Sequence, residues 1–447
     1  MTYARFCVEM RYEDLPQAVI QQGKMLLLDL LGVSLAGYGL MEFPRTIATY
    51  LKELGGRPEA TIFQTPGKFP AVHAAMANAA CAHALDMDDG HRFAASHPGT
   101  VVIPAALAAA EMAQASTRDL LAGIVAGYEV MIRLSMAINP SSLNRGFHAT
   151  GITGAFGAAG AAARILGLST EEAAGGFGLA GLQASGVLQV NHDVQGAKVK
   201  PINPARAASS GILAAVLAQR GARGPLQILE GEDGLLRAVA DNVKANLLTE
   251  GLGEEYEILR TYLKLHAACR HAHAPLDAAL AALRQVPKGV SDIQAVVVET
   301  YPAAVRLAGI PHATTPSAGK FSIPFSVALL LHRGSAGAAD FNETAVADTA
   351  IQELARKVEL RVSPYWEQLY PEKRGAMVTL ITREGRSHTA SVDLAKGEPE
   401  NPATWEEILD KFRANARVVL SDEGCRALGD AVLDLENRDL TDVVRWL

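Results

Sequence analysis

The stretch Asp86-Met87-Asp88-Asp89-Gly90-His91-Arg92, with His97-Pro98-Gly99 close behind, carries the densest chemistry in the chain. Three carboxylates, two imidazoles and one guanidinium fall within a dozen positions. The residues before it, Ala71 to Leu85, are small and apolar apart from His73, Asn78 and His83. Titratable groups at the end of an apolar helix shift one another's pKa, which is how acids and bases are prepared for proton transfer. A solvated loop capping the helix is the plainer alternative, and three further clusters downstream weigh against it.

The second cluster is Arg145-Gly146-Phe147-His148, just ahead of the small-residue run from Gly151. A histidine at a helix start can bind a carboxylate or move a proton. The third runs from Asp193 to Ala207 and includes Lys198, Lys200 and Arg206. Arg206 falls in a first helical turn, where a cation opposes the dipole, so an anionic ligand is expected there. The fourth is Lys264-Leu265-His266-Ala267-Ala268-Cys269-Arg270-His271-Ala272-His273. Its spacing fits no standard zinc pattern, so no metal is expected. There is no G-x-G-x-x-G after a strand, no P-loop and no G-x-S-x-G elbow, so no nucleotide cofactor or serine nucleophile is indicated. What remains is His, Lys, Arg and Asp, a set suited to cofactor-free proton abstraction beside a carboxylate.

The elements that must position these residues are mostly helices. Apolar residues recur at helical spacing over 18–35, 71–85, 101–113, 119–137, 151–166 and 205–220. Ser169-Thr170-Glu171-Glu172 is a helix-start signal. The stretch Ala173 to His192 has no charged residue but five glycines, and reads as one tightly packed buried helix, not a membrane span. After about residue 257 the texture changes: 293–300 is β-rich, 377–393 reads as a hairpin, and helical stretches lie near 275–283 and 325–331. The expected architecture is mainly α. A large all-α helical domain (1–257 and 395–447) would carry a smaller inserted α+β lid domain (258–394).

The 447 residues imply more than one domain, and 49% hydrophobic with 20% charged residues is globular composition. A net charge of −7 without a basic run argues against nucleic acid. Cys7, Cys81, Cys269 and Cys425 form no C-x-x-C pair, and no signal-peptide pattern opens the chain. A soluble cytoplasmic protein, bound to neither membrane nor nucleic acid, is expected.

Taken in order, D-x-D-D then H-P, G-F-H before a Gly/Ala helix, K-P-x-x-x-x-R-A-A, K-x-x-x-x-C-x-x-x-H and K-F-S resemble the MmgE/PrpD family over about residues 20–395. The family includes 2-methylcitrate dehydratase, cis-aconitate decarboxylase and iminodisuccinate epimerase. The resemblance implies a homodimer, no cofactor, a small polycarboxylate substrate, and a site between the helical domain and the lid. Its site positions fall on Asp86, His97, His148, Lys200, Lys264, Cys269 and His273. Gly90 and Phe325 stand where threonine and tyrosine are usual, and Asn203 replaces a common histidine. Those missing hydroxyls favour epimerisation of an iminodisuccinate-like substrate. Dehydration, decarboxylation and non-catalytic carboxylate binding are the alternatives. In that reading His97 and His148 transfer the proton, Asp86 orients an imidazole, and Cys269 is a further base. Lys200, Lys264, Arg92 and Arg206 hold carboxylates, with His91, Asp89 and His273 lining the substrate.

Overall fold

Small residues decide how closely these helices approach. The computed structural model describes residues 1–191 and 196–447 and divides into two compact units. The first comprises 1–84, 88–262 and 404–447, and the second 85–87 and 263–403.

The first unit contains α1 (Gln17–Leu40), α2 (Ala71–His83), α3 (Gly99–Ala113), α4 (Thr117–Ile138), α5 (Ala149–Ile165), α6 (Thr170–Gly181) and α7 (Ile202–Gln219). Helix α5 is mostly Ala and Gly and packs against α3, α4 and α7. At Gly211 in α7 a methyl group would stand 2.4 Å from Ala158 Cβ, so the α5–α7 approach depends on that glycine. Ser169 caps α6 by accepting from the Glu172 N–H, and Glu172 reaches back to the Ser169 N–H, completing the expected start signal. Helices α1 and α4 are long and apolar enough to cross a membrane, yet 78% and 100% of their apolar windows are buried inside the protein.

One expectation needs correction. The uncharged run from Ala173 is not one buried helix. Helix α6 stops at Gly181, and Leu182 and Val187 beyond it are 66% and 58% exposed. Val187 instead bridges Phe147, and the His148 N–H donates to the Gly186 carbonyl. The end of that run, His192, and residues 193–195 of the third cluster lie outside the described residues.

Two short strands, β1 (Gly90–His91) and β2 (Thr261–Tyr262), pair antiparallel and keep 258–262 with the first unit. In the second unit, α8 (His273–Leu283) packs on a four-stranded sheet and on α9 (Ile323–Arg333). The sheet holds β3 (Ile293–Thr300), β4 (Val358–Val362), β5 (Ala376–Thr382) and β6 (Ser387–Val392) in the order β4-β3-β5-β6. Strand β4 runs parallel to β3, and β5–β6 is the expected hairpin, with Met377 opposite Ser391. Val378 and Leu380 are fully buried beneath it. After residue 403 the chain returns to the first unit, where α10 (Trp405–Ala416) packs on α1.

Candidate active site

Helix ends build the cluster in the first unit. His83 is the last residue of α2, His97 lies two residues before α3, His148 caps α5, and Asn203 sits in the first turn of α7. Three helix N-termini therefore contribute positive ends, which favours an anion. The His83 ring centroid lies 5.0 Å from that of His97 and 6.2 Å from that of His148.

Asp88 joins two of these rings. His83 Nδ1 is 2.9 Å from Asp88 Oδ2, and His97 Nδ1 is 3.2 Å from the same oxygen. Burial opposes ionisation of Asp88, but the two imidazoles outweigh it and hold the carboxyl well below its usual range. His97 Nδ1 also lies 2.7 Å from the Asp89 carbonyl. A carbonyl only accepts, so Nδ1 carries a proton, and in the neutral ring the lone pair lies on Nε2. Burial brings the His83 pKa down to about 4, and the ring stays neutral; its buried Nε2 has no hydrogen-bond partner among the described residues. His148 is also held neutral, first by burial and then by the Lys200 charge, which push its pKa well below 6.5.

Asp89 turns the other way. Its carboxylate accepts the Gly99 N–H at 3.0 Å and the Tyr128 hydroxyl at 2.9 Å, pinning the loop to the start of α3. Burial and the neighbouring Asp88 raise its pKa to about 8. His91 is buried, accepts the Ala94 N–H at Nδ1 and places Nε2 3.3 Å from Glu257. Arg92 is buried with its guanidinium 5.3 Å from the Phe93 ring centre. Arg206 is exposed on α7. A Cβ on Gly90 would stand 2.4 Å from Tyr262 Oη, so a phenol fills the space a side chain would take there. That returns a hydroxyl to the position where one is missing from the sequence.

The second unit holds its own cluster. Asp86 has φ +54°, an unusual backbone for a non-glycine residue. Lys264 Nζ donates to the Asp86 carbonyl at 2.7 Å and to its carboxylate at 3.1 Å. Lys320 Nζ donates to the Leu85 carbonyl at 2.9 Å, and burial lowers its pKa to about 8. Two buried cations thus hold the bent segment that Asp86 occupies. Cys269 is half-buried, and its N–H donates to the Lys320 carbonyl. His273 is fully buried: Nδ1 accepts from Arg270 at 3.1 Å, and Nε2 lies 3.2 Å from the Ala268 carbonyl. Arg270 in turn pairs with buried Glu398 at 2.8 Å. Phe325 is buried against Gly319 and Phe341.

The sequence profile of the MmgE/PrpD N-terminal domain matches residues 2–248, and that of the MmgE/PrpD C-terminal domain matches 266–437. The chain belongs to the MmgE/PrpD family. Among curated members, a cis-aconitate decarboxylase of Aspergillus terreus is 27% identical over 97% of this chain and 92% of its own length. The cis-aconitate decarboxylase of Homo sapiens is 27% identical over 97% and 91%, and that of Mus musculus 26% over 97% and 89%. The chain is accordingly an enzyme of isomerase or lyase type.

For this MmgE/PrpD member, the first unit brings together His97, His148 and the Lys200 charge, and the second brings together Asp86, Lys264 and Cys269 through Lys320. Sequence reasoning assigned no role to His83, Asp88 or Lys320. The signals were there: Asp88 lies in D-x-D-D, Lys320 opens K-F-S, and His83 is a polar exception five residues before Asp88 on an apolar helix. His83, Asp88 and His97 each place a ligand atom within 4.8 Å of the others, so they could also hold a metal ion.

Proposed function

We propose that this chain is a cofactor-independent lyase acting on a small polycarboxylate, with a cis-aconitate-like tricarboxylate as the first substrate class. The observation that carries the reading is His97. Its Nδ1 proton faces the Asp89 carbonyl and the Asp88 carboxylate, which leaves Nε2 as the lone-pair nitrogen of the neutral ring. At 16% side-chain exposure it is less buried than His83.

An imidazole so placed accepts a proton at Nε2, and the resulting imidazolium is stabilised by ionised Asp88. In dehydration, the Cα–H bond breaks, its proton bonds to His97 Nε2, and the electron pair spreads into the adjacent carboxylate. The imidazolium then protonates the departing hydroxide. In decarboxylation, His97 Nε2 first takes a proton from solvent, the C–C bond to CO2 breaks, the electron pair spreads into the remaining conjugated system, and the imidazolium gives that proton to carbon and returns to its neutral form. Either reaction needs one proton carrier. Epimerisation needs a second on the opposite face, and in the first unit the other two imidazoles have their lone pairs buried or facing Asn203. The relatives' printed activity also supports lyase chemistry.

Epimerisation of an iminodisuccinate-like substrate is the second reading, supported by glycine, phenylalanine and asparagine at positions 90, 325 and 203. Tyr262 over Gly90 weakens that support by supplying a hydroxyl. A homodimer in the cytoplasm belongs to the same proposal, and light scattering measures the first part of it.

Proton NMR in D2O with cis-aconitate, citrate, 2-methylcitrate and iminodisuccinate in separate tubes tests the reading. New vinyl signals with loss of CO2 or water are expected. Deuterium entering an α-carbon with nothing lost would establish the epimerase instead. Replacing His97 by Ala should lower kcat by about 100- to 10,000-fold in a folded protein. Full activity after exhaustive chelation is expected; loss restored by a divalent cation would assign His83, Asp88 and His97 to a metal.

A further inference from the structure

Asn203 faces His148. Its Nδ2 lies 3.1 Å from His148 Nδ1 and 3.5 Å from the Val187 carbonyl oxygen. Because that oxygen can only accept, the amide nitrogen, not the amide oxygen, is turned toward both partners. An amide N–H can only donate, so His148 Nδ1 must be the lone-pair nitrogen. The neutral ring then carries its proton on Nε2. The backbone supports the placement: the His148 N–H donates to Gly186 at 3.1 Å, Phe147 bridges Val187, and a Cβ on Gly151 would stand 3.5 Å from Asn203 Cβ. His97 is held in the opposite tautomer, with its proton on Nδ1.

We infer that Asn203 is a positioning residue that fixes His148 as an Nε2–H donor, and that His148 serves as a neutral oxyanion donor and not as a second base. The inference rests on the proton-transfer reading above. When charge develops on the substrate carboxylate, the His148 N–H donates a hydrogen bond to it and keeps its proton. No bond to nitrogen breaks at this ring; the proton that moves is the one His97 carries. A neutral imidazole suits the task because its N–H is held ready without a charge to desolvate. The start of α5 adds its positive end at the same place.

The charged and titratable groups acting on His148 are Lys200, His83, His97 and Asp88. Asn203 Nδ2 is the group at hydrogen-bonding distance of Nδ1, so the proton's position should follow residue 203. Asn203→Asp replaces a donor with an acceptor. It would draw the proton to Nδ1 and aim the Nε2 lone pair at the developing anion. Asn203→His keeps a neutral N–H donor.

The experiment pairs kinetics with 15N NMR of histidine-labelled, substrate-free protein. In the wild type, the His148 signal, assigned by its loss in His148→Gln, is expected to report an unprotonated Nδ1 and a protonated Nε2. Asn203→Asp is expected to reverse the two and to lower kcat by about 100- to 1,000-fold, the effect of losing one oxyanion donor. KM should move much less, and Asn203→His should recover most of kcat. Protonated Nδ1 in the wild type would overturn the inference. So would an Asn203→Asp enzyme that keeps its kcat and pH profile. The spectrum needs no substrate, so it stands apart from the function reading, which fails on its own if none of the four polycarboxylates turns over.

Discussion

Asp88 and Asp89 are neighbours in the chain yet titrate as opposites. Two imidazoles keep Asp88 ionised, while burial beside that charge raises Asp89 to about 8. A carboxyl whose folded pKa lies above its unfolded value of 3.8 stabilises the fold at low pH, and that contribution is lost as pH rises through about 8. Asn at position 89 keeps an acceptor for Gly99 and Tyr128 but cannot titrate. Denaturant midpoints measured from pH 4 to 9 should therefore fall with pH more steeply in the wild type than in Asp89→Asn. The difference in slope is at most about 1.4 kcal/mol per pH unit. Identical slopes would mean that Asp89 is ionised throughout. Sequence pattern marked His97 by the density of titratable groups around it and His148 by its place at a helix start. It could not separate Asp88 from Asp89, because adjacent carboxylates differ only in which way the folded loop turns them.

Helix packing explains the site's precision. His148 and Asn203 belong to α5 and α7, and their distance depends on how closely those helices lie. Gly211 sets that approach: a methyl there would meet Ala158 Cβ at 2.4 Å and the Ala155 carbonyl oxygen at 2.6 Å. Gly211→Ala should destabilise the protein by about 1–3 kcal/mol by forcing the helices apart, despite alanine's better helix propensity. Chemical denaturation checks this, and a stabilised variant would show that the interface yields freely. The helices themselves were legible from spacing and caps. The early end of α6 was not, because an uncharged run rich in Gly and Ala reads alike whether helical or looped; beyond that end Val187 bridges Phe147.

For the whole molecule, the chain crosses between its units more than once. Residues 404–447 return to the first unit, and two charged contacts fasten them there. Lys411 pairs with buried Asp29 at 2.6 Å, and Glu436 pairs with Lys24 at 2.7 Å. Burial raises the Asp29 carboxyl above its usual range even with Lys411 against it. Lys411→Met would strand that carboxylate and should cost about 3–5 kcal/mol, whereas Asp29→Leu with Lys411→Met should be near neutral. Calorimetry of the single and double variants tests this, and equal losses in both would mean that α10 docks by apolar packing alone. The mainly α character, the smaller α+β part and the family were all readable from the chain itself. Periodicity, turn chemistry and motif order are local properties, and local energetics specify them. The proton positions were decided only by tertiary structure. Which ring nitrogen meets a carbonyl and which carboxylate meets two imidazoles depend on how one short loop folds back on its helix ends, and which lysines hold the Asp86 segment depends on groups 178 and 235 residues away. Only packing sets those distances, and hydrogen bonding and desolvation change steeply over less than an ångström.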